Sequence, residues 1–190
     1  MKVGVLALQG DVREHAFALD RAGATPVAVK TRDEVAAVDA LVLPGGESTT
    51  IGKLLDRFGL LERVRGRVEE GMPLFGTCAG LILMSREVVG PEDAPDRLGC
   101  LDVSVRRNAY GRQVASFETE LEIAGLDRPF RAVFIRSPEI EQVGEGVEVL
   151  AAISGSPVLV RSGALLGAAF HPEMTDDPRV HELFITMVRG

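Results

Sequence analysis

Apolar positions in the first half of the chain alternate between short runs and helical stripes. Residues 3–8 form a short aliphatic run, and residues 11–22 then place Val12, Ala16, Leu19 and Ala22 near helical spacing. Residues 25–30 and 40–43 are further strand-like runs, the second stopping abruptly at Pro44-Gly45-Gly46-Glu47-Ser48. Ser48 or a following threonine is suited to cap a helix that continues through about Phe58. A second helix is predicted over 60–70 and a strand over 73–75. After Gly76-Thr77-Cys78-Ala79-Gly80 comes another helix, from Ala79 to about Glu87. Buried strands alternating with helices predict a parallel sheet, because parallel neighbours require crossovers and the crossovers are helices.

From Asp102 the pattern changes to strand-like runs with tight turns, over 102–106, 114–121, 131–135, 147–153, 158–160 and 165–170. Residues 178–188 close the pattern as a helix with Val180, Leu183, Phe184 and Met187 on one face. The fold class expected is α/β: a doubly wound, mostly parallel sheet with helices on both faces and an antiparallel portion added in the C-terminal half. No repeat, low-complexity tract or linker divides the chain, and 190 residues fit one domain, 1–190.

Composition narrows the function. A net charge of −7 and a pI near 5.1 disfavour nucleic acid, which needs a dense Lys/Arg face. No run of 18 apolar residues signals a membrane span, and the opening run is too brief for a secretory core, so a soluble cytoplasmic protein is expected. Two cysteines, Cys78 and Cys100, make a disulfide scaffold implausible, and each then needs an explanation as packing or chemistry.

Gly76-Thr77-Cys78-Ala79-Gly80 supplies the chemistry for one of them. Glycines two positions either side of a cysteine, between a strand and a helix, match the nucleophile elbow, a strained turn that lifts the side chain above the sheet. The helix N-terminus favours a thiolate there. Cys100 lacks such a frame and is read as packing. Of the three histidines, His15 and His181 lie on predicted helices and are read as solvated. His171 follows the apolar run 165–170 directly, and Pro172 ends that strand, so the imidazole is expected at a strand end, where sheet clefts form. Glu173 is placed to bond the other ring nitrogen. An acyl transfer also needs oxyanion donors: the Ala79 amide provides one, and the Gly45-Gly46 loop is suited to provide a second.

Assembled in this order, the residues resemble the class I glutamine amidotransferases. Within them, the chain is similar to the glutaminase subunits of pyridoxal 5'-phosphate synthases. The resemblance rests on Gly4-Val5-Leu6-Ala7-Leu8-Gln9-Gly10, Leu43-Pro44-Gly45-Gly46-Glu47-Ser48-Thr49-Thr50, the cysteine elbow and Arg107-Asn108-Ala109-Tyr110-Gly111-Arg112-Gln113. Ser116-Phe117-Glu118, Phe134-Ile135-Arg136 and Phe170-His171-Pro172-Glu173 complete it. It implies glutamine bound by Gly46, Glu47, Ser48, Arg107, Ile135 and Arg136 around a Cys78-His171-Glu173 triad, with Gly46 and Ala79 as the oxyanion hole. No metal or cofactor is implied. The implied partner is a TIM-barrel synthase subunit in a hetero-oligomer, which receives ammonia for pyridoxal 5'-phosphate formation. A glutaminase serving another synthase, a silent glutamine-binding module and a different cysteine hydrolase on a related sheet are the alternatives. Ser137 stands where such relatives usually have alanine, and Met174 where leucine is common; neither change removes a reactive group.

Overall fold

The computed structural model describes residues 1–90, 94–107 and 116–190. Its main sheet begins with β1 (Lys2–Leu6), β2 (Thr25–Val29), β3 (Ala40–Leu43) and β4 (Leu74–Thr77). Strands β10 (Glu148–Ile153), β11 (Ser156–Ser162) and β12 (Leu165–Ala168) complete it, in the order β10-β11-β12-β4-β3-β1-β2. The run from β12 to β2 is parallel throughout, and β11 and β10 extend it as antiparallel neighbours. Every residue of β3 and β4 is buried, the signature of parallel strands covered on both faces.

Helices α1 (Val12–Arg21) and α6 (Arg179–Arg189) pack against each other. A second group links α2 (Arg32–Ala36), α3 (Ser48–Arg57), α4 (Leu60–Glu69) and α5 (Ala79–Met84). The antiparallel portion expected in the C-terminal half includes β7 (Ser116–Leu121) paired with β8 (Phe130–Ile135), and β6 (Leu101–Arg106) paired with β9 (Glu139–Val143). Within the latter sheet, β5 (Ser85–Val89) runs parallel to β6.

Several boundaries differ from those expected. The helix after Cys78 ends at Met84 rather than about Glu87, because Ser85 Oγ donates to the Ile82 carbonyl and Arg86-Glu87-Val88-Val89 continues as β5. Helix α2, unforeseen, is started by a capping box in which Thr31 and Glu34 bond reciprocally. Helix α3 is capped not by Ser48 or a threonine but by Glu47, whose carboxylate accepts from the Thr49 and Thr50 amides. The largest reversal concerns His15 and His181, read as solvated but fully buried. The buried stripe of α1 is His15, Ala18 and Leu19, and that of α6 is Val180, His181, Phe184 and Ile185. Each histidine therefore occupies a position on the inward stripe. Residues 108–113 of the Arg107-to-Gln113 motif, and the first two residues of the strand expected over 114–121, lie outside the described residues.

Elbow geometry is set by steric necessity. Cys78 has φ 49° and ψ −102°, a positive φ that few side chains adopt without strain. A Cβ on Gly76 would sit 2.6 Å from the Gly80 carbonyl carbon, and one on Gly80 would collide with the Leu43 carbonyl oxygen. The backbone turns back on itself here and presses against β3, so only hydrogen fits. Gly80→Ala is expected to destabilise the fold by at least about 3 kcal/mol. Gly66→Ala, inside α4 with open space where its Cβ would point, should instead stabilise by about 0.5–1 kcal/mol. Chemical denaturation of the two variants measures both.

Candidate active site

The carboxyl ends of four neighbouring parallel strands converge on one cavity. Gln9 and Asp11 follow β1, Gly46 to Ser48 follow β3, Cys78 follows β4 and His171 follows β12. This is the rim where ligands enter open α/β sheets. The pairing of β12 with β4 places Ala168 opposite Thr77, and the Cys78 amide donates to the Ala168 carbonyl at 2.8 Å. Cysteine and histidine are thus carried to one rim by a single strand pair. The His171 amide donates to the Val133 carbonyl at 2.8 Å, which draws the end of β8, with Ile135 and Arg136, to the same place.

The cavity measures about 420 Å³ and is lined by Cys78 and His171, by Gly46, Glu47 and Ser48, and by Arg107, Ile135 and Arg136. Gln9, Asp11, Ile82 and Met174 complete the wall. Ala79 is not part of that wall; it is buried and opens α5, where its N–H has no intrahelical acceptor. Glu173 is buried behind His171, its Oε1 2.7 Å from His171 Nδ1. Asp11 Oδ2 approaches the same nitrogen at 3.6 Å. Cys78 Sγ is 3.9 Å from the Ile135 carbonyl oxygen.

Burial alone would lower the His171 pKa, but bonding to Cys78 and Glu173 and their charges outweigh it and push it up to about 10. Burial raises the Glu173 pKa, and the bond to His171 with its charge opposes that rise. The imidazole is accordingly poised to hold a proton between sulfur and carboxylate. Cys100 behaves as packing: burial pushes its thiol up to about 11, and it is half-buried and free of any disulfide.

The loop after β3 is held from several sides. A Cβ on Gly45 would sit 2.5 Å from His171 Cε1 and 2.8 Å from Asp11 Oδ2, so glycine there lets the loop press against the His171 ring. The Glu47 amide donates to Gln9 Oε1 at 2.9 Å. The Glu47 carboxylate accepts from the Thr49 amide at 2.9 Å and from the Thr50 amide and hydroxyl at 2.7 Å each. Arg107 Nη2 donates to Thr49 Oγ1 at 3.2 Å and lies 3.6 Å from Glu47. Arg136 adopts φ 44°, an unusual backbone state for a side chain other than glycine. Ser137 is buried, its hydroxyl without a hydrogen-bond partner among the described residues, a position that alanine would fill without an unsatisfied group.

Gln9 and Asp11 were not singled out as site residues from sequence. The signal was available: Gln9-Gly10-Asp11 directly follows the first strand, as the elbow follows the fourth. The described residues also bring Asp11, His171 and Glu173 within metal-ligand spacing, yet the close Nδ1 to carboxylate bond already accounts for that grouping.

The profile of the SNO glutamine amidotransferase family matches residues 5–190. The chain is 59% identical over 190 residues to a Frankia casuarinae protein named pyridoxal 5'-phosphate synthase subunit PdxT, covering all of this chain and 96% of that one. It is 52% identical over 189 residues to a Niallia circulans protein of the same name, covering 100% and 98% of the two chains. A crystal structure described as a glutamine amidotransferase matches with a TM-score of 0.94 and 53% identity over 99% of each chain. A second glutamine amidotransferase, from Thermotoga maritima, shares the fold, with a TM-score of 0.61 at 14% identity over 99% of this chain and 90% of that one. No helix among the described residues is long and apolar enough to cross a membrane.

The Glu47 cap gives a pH test of how the loop is held. Burial pushes its carboxyl up, but the hydroxyl and amide bonds from Thr50 and Thr49 win and bring it from 4.5 down to about 2. Its stabilisation is therefore complete above about pH 4.5 and lost as pH falls through about 2. Glu47→Ala should cost about 1 kcal/mol at neutral pH, and the gap to the parent should close on acidification, as followed by urea unfolding. With profile, relatives and fold in agreement, the chain belongs to the SNO glutamine amidotransferase family.

Proposed function

We propose that the chain hydrolyses L-glutamine to L-glutamate and ammonia, and passes the ammonia to a synthase subunit for pyridoxal 5'-phosphate formation. The observation that carries this reading is the 2.7 Å bond between buried Glu173 and Nδ1 of His171, whose ring lines the same cavity as Cys78. Full-length relatives named as pyridoxal 5'-phosphate synthase subunits support the pathway.

In the proposed cycle, Cys78 Sγ attacks the side-chain amide carbon of glutamine, and its proton resides on His171. The resulting oxyanion is received by the Gly46 and Ala79 amides. His171 protonates the amide nitrogen, the C–N bond breaks, and ammonia leaves a γ-glutamyl thioester. Water then gives a proton to His171 and attacks the thioester carbon; glutamate leaves and the sulfur is regenerated. Glu173 keeps the imidazole oriented and stabilises its cationic form in both halves. Atoms balance with glutamine and water alone, and no metal or organic cofactor is needed.

Arg107 and Arg136 are proposed to hold the substrate carboxylate, with Glu47, Ser48 and Ile135 shaping the pocket around the amino group and stem. Glu47 already gives its oxygens to the cap of α3, so it serves the ammonium through whatever lone pairs remain. The reading includes a TIM-barrel synthase as partner in a hetero-oligomer and a cytoplasmic location.

Cys78→Ala should lower glutamate release by at least about 10⁴-fold, on the scale of nucleophile deletion in other hydrolases, with unfolding unchanged. Glu173→Gln should lower kcat by roughly 10² to 10⁴-fold, as replacement of an orienting carboxylate does elsewhere. Both are read as glutamate formed by the purified chain mixed with the synthase subunit. Near-parental release by Cys78→Ala would exclude the mechanism; failure of glutamine to support pyridoxal 5'-phosphate formation by the synthase when this chain is added would exclude the partner.

A further inference from the structure

Behind Glu173 lie two histidines that the proposed cycle does not use. His15 Nδ1 is 3.0 Å from His181 Nε2, and His15 Nε2 is 2.9 Å from Thr77 Oγ1 and 3.4 Å from Glu173 Oε2. Both rings are fully buried, and Phe75 packs edge-on against each. Burial holds them neutral: it lowers His181 to about 3, and lowers His15 well below its ordinary value with added repulsion from His181 and His171. Each ring therefore carries one N–H.

Two arrangements satisfy that condition. In one, His15 Nδ1–H donates to His181, whose own proton must then sit on Nδ1. That nitrogen is buried with no partner among the described residues, and a stranded buried N–H is costly. The same arrangement turns the bare Nε2 lone pair of His15 toward the Glu173 oxygen. In the other, His181 Nε2–H donates to His15 Nδ1, and the proton of His15 sits on Nε2. A lone pair rather than an N–H is then stranded on His181, and an N–H faces both Thr77 Oγ1 and Glu173 Oε2, a buried oxygen with no hydrogen-bond partner of its own among the described residues; the Thr77 hydroxyl proton in turn loses the His15 acceptor that the first arrangement gives it. The second arrangement is favoured because it replaces a stranded buried N–H by a lone pair and turns an N–H, rather than a lone pair, toward the buried carboxylate.

We propose that His15 is a positioning residue for the glutaminase reaction: its Nε2–H, oriented by His181, grips the far oxygen of Glu173 and the side chain of Thr77. Glu173 Oε1 holds His171, and Thr77 is the residue before Cys78. One imidazole thus braces the support of the base and the strand end of the nucleophile together. A buried carboxylate oxygen without a donor favours the protonated acid, which cannot stabilise an imidazolium; an N–H there holds the anion and fixes its rotation. Among the described residues, the other titratable groups near this assembly include Asp11, at 3.6 Å from His171 Nδ1, Cys78, and Arg13, Glu14 and Asp176, which line a surface pocket with Glu173. The inference rests on the glutaminase reading for its kinetic consequence, but not for its titration.

The test uses His15→Phe, which removes both nitrogens, His15→Gln, which can return an N–H to the Nε2 position, and His181→Phe, which removes the orienting donor. The His171 ring is titrated by ¹⁵N NMR in the isolated chain, and the pH profile of kcat is measured with the synthase partner. His15→Phe should move the His171 titration and the alkaline limb of kcat down by about one pH unit. It should also lower kcat about 10-fold with KM unchanged within about 2-fold. His181→Phe should shift both in the same direction by less, and carries the test should His15→Phe fail to fold. His15→Gln should restore the parental values. A merely structural role would scale the rate without moving either pH midpoint; that result, or failure of His15→Gln to restore the midpoints, overturns the proposal. An inactive parent would sink the glutaminase reading while leaving the NMR titration to decide the relay.

Discussion

Parallel pairing of β4 with β12 is the constraint on which the site depends. These strands are far apart in sequence, yet their register puts Thr77 beside Ala168 and lets the Cys78 amide bond the Ala168 carbonyl. Each strand then ends at the same rim and releases one reactive side chain, the thiol after β4 and the imidazole after β12. Adjacent strands lie less than about 5 Å apart, so no helix or loop rearrangement is needed to unite the two groups. A register slip of one residue would turn each side chain to the opposite face of the sheet and separate them.

Around that pair the backbone is crowded in a way that only glycine permits. Gly76 and Gly80 let the elbow fold onto itself and onto β3, and Gly45 lets the neighbouring loop approach His171 and Asp11. The positive φ of Cys78 is sustained by this crowding, with the all-buried strands β3 and β4 beneath it. Packing energy spread over a wide core thus maintains strain at one residue, and that residue carries the proposed chemistry.

Much of this was legible in the sequence, because its signals are local. The elbow is a five-residue pattern, His171 sits where an apolar run meets proline, and the alternation of strands and helices in the first half fixes a parallel sheet. What escaped the reading depends on contacts between distant segments. His15 and His181 occupy helices with apolar stripes, and a histidine at helical spacing gives no sign of whether it faces water; here each faces the other across two helices 166 residues apart in sequence. Gln9 and Asp11 gain their place only because β1 stands beside β3 in the sheet. The cap of α3 shifted by one residue because Glu47 is long enough to reach two amides, a geometry that residue preferences for short capping side chains do not anticipate. The expected helix after the elbow ran too far because Ser85 and Glu87 pair with β6, a tertiary preference stronger than local continuation.

The central claim is that a sulfur from one strand end does covalent work on glutamine under the control of an imidazole from the next. Its most direct test is peptide mass spectrometry of the chain after acid quenching during turnover of glutamine with the synthase partner present. The account predicts a γ-glutamyl adduct confined to the peptide containing Cys78. Glutamate formation with no adduct on that peptide under any quench time, or an adduct carried by Cys100 instead, would contradict it.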